Sequence, residues 1–209
     1  SPSNKFSVTE KVDENNVSLI TSGAVYSALQ DYIKESDIGS NNTVSGATSF
    51  AAGASNKIYA AKSMAIGQGN TINIDANNYG TNLVAGLNNI VAKPNDDGST
   101  GTGGYSVTFG GTCTNNGVYS LTNGMKCEVY ANQSIVSGRE NQVLANSHYS
   151  LNTGYGNITN GHQATIVAGR GLTSGRNYQG VFGQFNEVDA DALMVVGKGA
   201  NASARSNAF

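Results

Sequence analysis

The sequence predicts an all-β solenoid, a ribbon coiled into stacked layers of about 14 residues with two short strands in each. Three observations predict it: glycines at a fixed interval, apolar columns in register with them, and a Gly-x-x-Asn turn. Internal periods outrank local propensity here, because one such repeat buries no core alone and its neighbours decide its structure. Gly39, Gly53, Gly67, Gly86, Gly110, Gly124, Gly138, Gly154, Gly169, Gly183 and Gly197 are separated by 14, 14, 19, 24, 14, 14, 16, 15, 14 and 14 residues. The two longest intervals contain loop-like inserts, residues 75–80 and 94–104, which stacked layers accommodate outside the coil.

The first strand of each layer runs into the repeat glycine. Three places before it stand Phe50, Met64, Leu83, Val107, Leu121, Ile135, Leu151, Ile166 and Met194, interrupted by Gly180, and this column reads as core. One place later come Ala51, Ala65, Val84, Thr108, Thr122, Val136, Val167, Val181 and Val195, with Asn152 as the exception. Adjacent strand residues point to opposite faces, so a strand apolar on both needs cover on both. A symmetric homo-oligomer is the economical cover.

The turn after that strand places Asn42, Asn56, Asn70, Asn89, Asn141, Asn157 and Asn186 three residues beyond the glycine. Glycine accepts positive φ, and asparagine either tolerates the left-handed region or hydrogen-bonds nearby backbone, here across layers. The second strand follows, with Val44, Ile58, Ile72, Val91, Val129, Val143 and Val188 inward, then small residues at Gly46, Ala60, Ala131, Ala145 and Ala190. Polar residues between them, such as Lys57, Thr71, Glu128, Gln142 and Glu187, give that strand one wet face. In two layers the Asn position holds Cys113 and Cys127, one period apart. Layers at about 4.8 Å place their Cα atoms inside the disulfide window of roughly 4.4–6.8 Å. The spacing predicts a structural disulfide and with it an oxidising compartment; the alternative is two small buried thiols.

The formal net charge is −2, from 12 Lys plus Arg against 14 Asp plus Glu, which argues against nucleic acid or an anionic membrane as partner. No apolar run approaches the roughly 20 residues of a membrane helix, so no membrane insertion is expected of this segment. Reactive groups are sparse. His148 and His162 are the only histidines and fall out of column, so no metal, cofactor or catalytic residue is expected. Glu187, Asp189 and Asp191 alternate on the expected wet face, where a solvated acidic edge outweighs a calcium site. Tyr105, Tyr119, Tyr149 and Tyr178 stand five places before the repeat glycine, where other layers have Lys62, Thr81 or Gln133. A row of exposed tyrosines can stack on sugars or anchor a protein partner; the competing reading is packing between layers.

The units Ser63-Met-Ala-Ile-Gly-Gln-Gly-Asn70 and Asn82-Leu-Val-Ala-Gly-Leu-Asn-Asn89 resemble the head repeats of YadA-type trimeric autotransporter adhesins, and related repeats occur in phage tail fibres. The resemblance covers about Ile38 to Val196 and departs where Cys replaces Asn and in the insert after Pro94. It implies a left-handed parallel β-roll that trimerises side by side. The expected division is an N-terminal segment 1–37, a roll over 38–200, and an extension 201–209 leading to a region beyond it. Within the N-terminal segment, Thr21 or Ser22 as N-cap and Val25, Leu29 and Ile33 at helical spacing predict a short helix over about 21–34.

The resemblance thus implies a non-enzymatic, extracellular receptor-binding module of a homotrimeric surface fibre, on a bacterial cell or a virion. Its expected partner is a cell-surface glycan or protein, held by multivalency. An alternative is a glycan depolymerase of the tail-spike type acting between subunits, which needs paired carboxylates that the columns do not offer. Binding of ice or mineral is disfavoured, since the wet columns mix Thr, Lys, Glu and Tyr rather than repeating one residue.

Overall fold

The computed structural model describes residues 37–74, 81–91 and 104–208, all within the second of two units of the chain, Ser36–Phe209. The helix expected over 21–34 and most of both inserts lie outside the described residues. The described part is an all-β parallel solenoid of about ten turns, in which no residue is helical.

One long strand per layer builds an 11-stranded sheet among the described residues. Its strands are β1 (Asp37–Ser40), β3 (Phe50–Ala54), β5 (Met64–Gln68), β7 (Leu83–Leu87), β9 (Val107–Gly111), β11 (Leu121–Met125), β13 (Ile135–Arg139), β15 (Leu151–Tyr155), β17 (Ile166–Arg170), β18 (Gly180–Gln184) and β19 (Met194–Lys198). Two-residue strands between them form a second, 8-stranded sheet: β2 (Thr43–Val44), β4 (Lys57–Ile58), β6 (Thr71–Ile72), β8 (Ile90–Val91), β10 (Thr114–Asn115), β12 (Glu128–Val129), β14 (Gln142–Val143) and β16 (Ile158–Thr159). Every pairing in both sheets is parallel, and the repeat glycines face one another in register from Gly39↔Gly53 to Gly183↔Gly197. A Cβ on Gly86 would sit 1.8 Å from the carbonyl oxygen of Gly110, and its φ is +125°. Close approach and backbone conformation both demand glycine there, which is why the period survives the inserts.

The inward column is the one two places before the glycine. Ala51, Ala65, Val84, Val136, Val167 and Val181 are fully buried and meet Ile58, Ile72, Val91, Val129 and Val143 of the short strands. The column one place earlier, read from sequence as core, is instead the outer face of the long sheet. Ile135, Ile166 and Met194 are about half exposed there, beside Ile66, Phe109 and Phe182 of the same face. The pleat is the reason: the coil interior takes one side chain per layer from each strand, and alternation sends its neighbours outward.

Polar residues divide the core. Among the described residues it falls into three apolar clusters, Ala51–Val91, Cys113–Val143 and Val167–Val195. Between the first two, Asn115 donates from Nδ2 to Oγ1 of Thr108 at 3.2 Å. Between the last two, Asn152 donates to the Gln142 and Asn157 carbonyls and to Oγ1 of Thr159.

Two expectations for the short strands are corrected. Val188, expected in the core column, is 57% exposed, because the chain after Gly183 bends instead of forming a second strand. Asp189 holds that bend by accepting from the backbone N–H groups of Asp191 and Ala192 at 2.8 and 3.0 Å. Ala145 and Ala190, expected as small inward residues, are exposed. In the 16-residue layer containing Ala145, Ser147 is buried instead and bonds the Thr159 carbonyl. Beyond β19 the chain doubles back: Lys198 N–H donates to Ser206, Ala208 N–H donates to Val196, and Gly197 bridges Asn207 antiparallel.

Candidate functional site

Two ladders of side chains hold the corners of the coil and so fix where every surface column stands. The first is the asparagine column. Asn70 donates from Nδ2 to the carbonyls of Ile66 and Gly86 at 3.1 and 2.9 Å, and its Oδ1 accepts from both the N–H and the Nδ2 of Asn89. Asn56 and Asn89 repeat the pattern, and Asn157 receives and passes on the same kind of bond. The left-handed residue of this turn lies one place earlier, as at Asn41, Ser55, Asn88 and Glu140, so asparagine serves by bridging layers rather than by its φ.

Cys113 and Cys127 continue that ladder. Cys113 N–H donates to Asn89 Oδ1, Cys127 N–H donates to Cys113 Sγ at 3.4 Å, and each thiol donates to the glycine carbonyl of the next layer, Gly124 or Gly138. The structure therefore brings the two cysteines together, fully buried and as free thiols. The hydrogen bond between the side chains, then burial, pushes the Cys113 thiol far above its ordinary range, and the same hydrogen bond draws Cys127 down to about 7.

A second ladder, which the column reading overlooks, occupies the other corner: Ser49, Ser63, Ser106, Ser120, Ser134, Ser150 and Thr165 stand four places before the glycine. Ser49 Oγ accepts from Ser63 N–H at 3.0 Å, Ser134 Oγ accepts from Ser150 N–H, and Thr165 donates to Ser150. The recurrence of serine in that column is the signal that would have found it.

The tyrosines stand one residue before this serine ladder. Tyr105, Tyr119, Tyr149 and Tyr178 all have left-handed φ, 54° to 61°, as do Lys62, Gln133 and Ala164 in the same column. The corner turns each side chain out of the coil, and Tyr119 and Tyr178 are 62% and 69% exposed. Only one pair meets: the rings of Tyr105 and Tyr119 stack with centroids 5.1 Å apart and planes 11° apart. Gln133 and Ala164 separate Tyr149 and Tyr178 from the others, so the column is three aromatic stations rather than a continuous row.

The histidines serve structure. His148 Nδ1 accepts from Asn132 N–H at 3.0 Å, and His162 Nδ1 lies 3.2 Å from Ser174 Oγ. Among the described residues no three His, Cys, Asp or Glu side chains are gathered as a metal site would require. No described helix is long and apolar enough to cross a membrane. Comparison of the chain with protein-family models, with curated proteins and with solved structures finds no match.

Proposed function

We propose that the chain is the receptor-binding module of a homotrimeric, extracellular fibre, a left-handed roll that displays its corner side chains as an adhesive array. The observation that carries this reading is the outer face of the long sheet. Met64, Ile66, Phe109, Ile135, Ile166, Phe182 and Met194 lie along it partly exposed, in the two columns three places and one place before the repeat glycine, over the length of the solenoid. A soluble monomer seldom keeps so extended an apolar surface in water. A second and third copy match it best, because their layers have the same spacing and the same columns. With that face covered, the tyrosine corner remains outward and is repeated three times around the fibre.

Three weak sites on one rigid body gain roughly 10²–10⁴ in avidity without a deep pocket. The carrier is a bacterial surface or a virion tail fibre, and the ligand a surface glycan or protein. Sedimentation equilibrium on the intact chain is expected to return three times the 21.5 kDa monomer mass. A dispersed monomer sinks the assembly. For the contact surface, Tyr119→Ala combined with Tyr149→Ala is expected to remove signal on a glycan array or against whole host cells while the mass stays unchanged.

A further inference from the structure

Along the edge of the long sheet opposite the tyrosines, two glycines stand next to each other in the column two places after the repeat glycine. Gly156 and Gly171 fill that column where adjacent layers have Lys126, Glu140 and Phe185. A Cβ built on Gly156 meets nothing within 4 Å. The space over Gly156 belongs to an open cleft of about 330 Å³ lined by Glu140, Tyr155, Arg170, Phe185 and Arg205, with the Phe185 ring lying over Gly171. That volume is at the lower end of the range of small-molecule sites.

The cleft is cationic on a chain that is not. Among its lining residues Arg170 and Arg205 stand against one carboxylate, Glu140, a local excess of 2 − 1 = +1 where the whole chain is −2. Glu140 is already engaged, 3.2 Å from Arg139 and 3.8 Å from Lys126. Among the described residues no carboxylate pairs with Arg170 or Arg205. Both guanidinium groups are nonetheless held in place. Arg170 lies 5.6 Å from the Tyr155 ring centroid and 5.3 Å from that of Phe185. Arg205, on the returning tail, donates from Nη1 to the carbonyls of Gly171 and Asn186 at 2.8 and 3.1 Å. Its Nε and Nη2 have no acceptor among the described residues. Planar donors fixed by rings and backbone are suited to a carboxylate, and fixing them beforehand lowers the entropy lost on binding.

We propose that this cleft binds a carboxylate-bearing sugar, a uronic or sialic acid residue of an acidic glycan. Arg170 and Arg205 would take the carboxylate, and the open floor at Gly156, beside the Phe185 ring that lies over Gly171, admits the flat ring. A rigid ring with its acid attached loses less entropy on this open cleft than an acidic peptide, whose carboxylates end flexible side chains and whose backbone must be ordered as well. The inference deepens the adhesive reading by naming the ligand's chemistry, but the cleft is built from one chain and lies at the opposite edge from the tyrosines.

Titration calorimetry of the intact chain with a galacturonate tetramer, sialyllactose, a neutral galactose tetramer and a Glu-rich peptide tests it. Binding is expected for at least one of the acidic sugars and for neither control, weakening as salt rises. Arg170→Gln is expected to weaken it by about tenfold or more. Gly156→Asn is expected to abolish it by filling the hollow without unfolding the coil, since Asn88 occupies the same column at φ 54°. Failure of both acidic sugars to bind overturns the inference, as does binding that neither variant alters, or tighter binding of the peptide. The same variants leave the sedimentation mass untouched, so a failed titration is distinct from a failed trimer.

Discussion

At the scale of single residues, the informative positions are the polar groups the coil buries. Thr122 occupies the inward column between Thr108 and Val136, and its Oγ1 has no hydrogen-bond partner among the described residues. Desolvating a hydroxyl without a partner costs about 1–3 kcal/mol, so the near-isosteric Thr122→Val is expected to raise stability by about 1 kcal/mol or more in urea unfolding. Asn70 is the opposite case. Asn70→Ala removes the Nδ2 donations to Asn56, Ile66 and Gly86 and the acceptor for Asn89, and is expected to cost about 3 kcal/mol in the same measurement. The thiols add a pH dependence. Thiolate is the attacking form, and Cys127 is drawn down to about 7, so its thiolate is depleted below that pH and abundant above it. With hydrogen peroxide, an oxidant far smaller than a peptide disulfide for a fully buried pair, Cys127 is oxidised to the sulfenic acid and Cys113 displaces water from it, and closure of the bridge is therefore expected to accelerate as pH rises through about 7 and then level off. Intact-protein mass, read as the loss of two hydrogens, follows it.

At the scale of the element, each layer is a five-residue strand, a turn and often a two-residue strand, and none of these is stable alone. The layers differ in how well they are tied together. Those around Asn56, Asn70 and Asn89 have an apolar interior and an unbroken amide ladder, whereas the layer of Asn152 has a polar interior and leaves Asn152 Oδ1 without a partner. Solenoid stability is close to a sum over layers and their interfaces, so the weakest interface opens first. Native-state hydrogen exchange is expected to show lower protection for the amides of β15 than for those of β5 and β7. Equal protection throughout would mean that the polar layers cost nothing.

At the scale of the whole molecule, the sequence carries the architecture in its glycines. The backbones of neighbouring layers approach too closely for any Cβ, so the positions recur whatever the loops between them do, and the all-β class, the layer boundaries and the amide ladder were all legible in that spacing. The stacked cysteines were legible for the same reason. What the columns left open was which apolar column faces inward. Ala51 and Phe50 differ by one position, and hydrophobicity alone favours the larger residue as core, whereas the narrow interior of the coil accepts the smaller one and leaves Phe50 on the outer face. The bend after Gly183 was equally hidden, since the Glu187–Asp191 run alternates as a strand would, and only the carboxylate of Asp189 turned back on two backbone amides decides otherwise. The cleft joins residues from Glu140 to Arg205, four layers and a returning tail apart, and no period of 14 brings Arg205 to Gly171. Sequence fixes what each layer repeats, because sterics and backbone hydrogen bonding act on every turn alike; tertiary structure decides what happens where the repeat is broken, because there the outcome depends on which layers lie above and below.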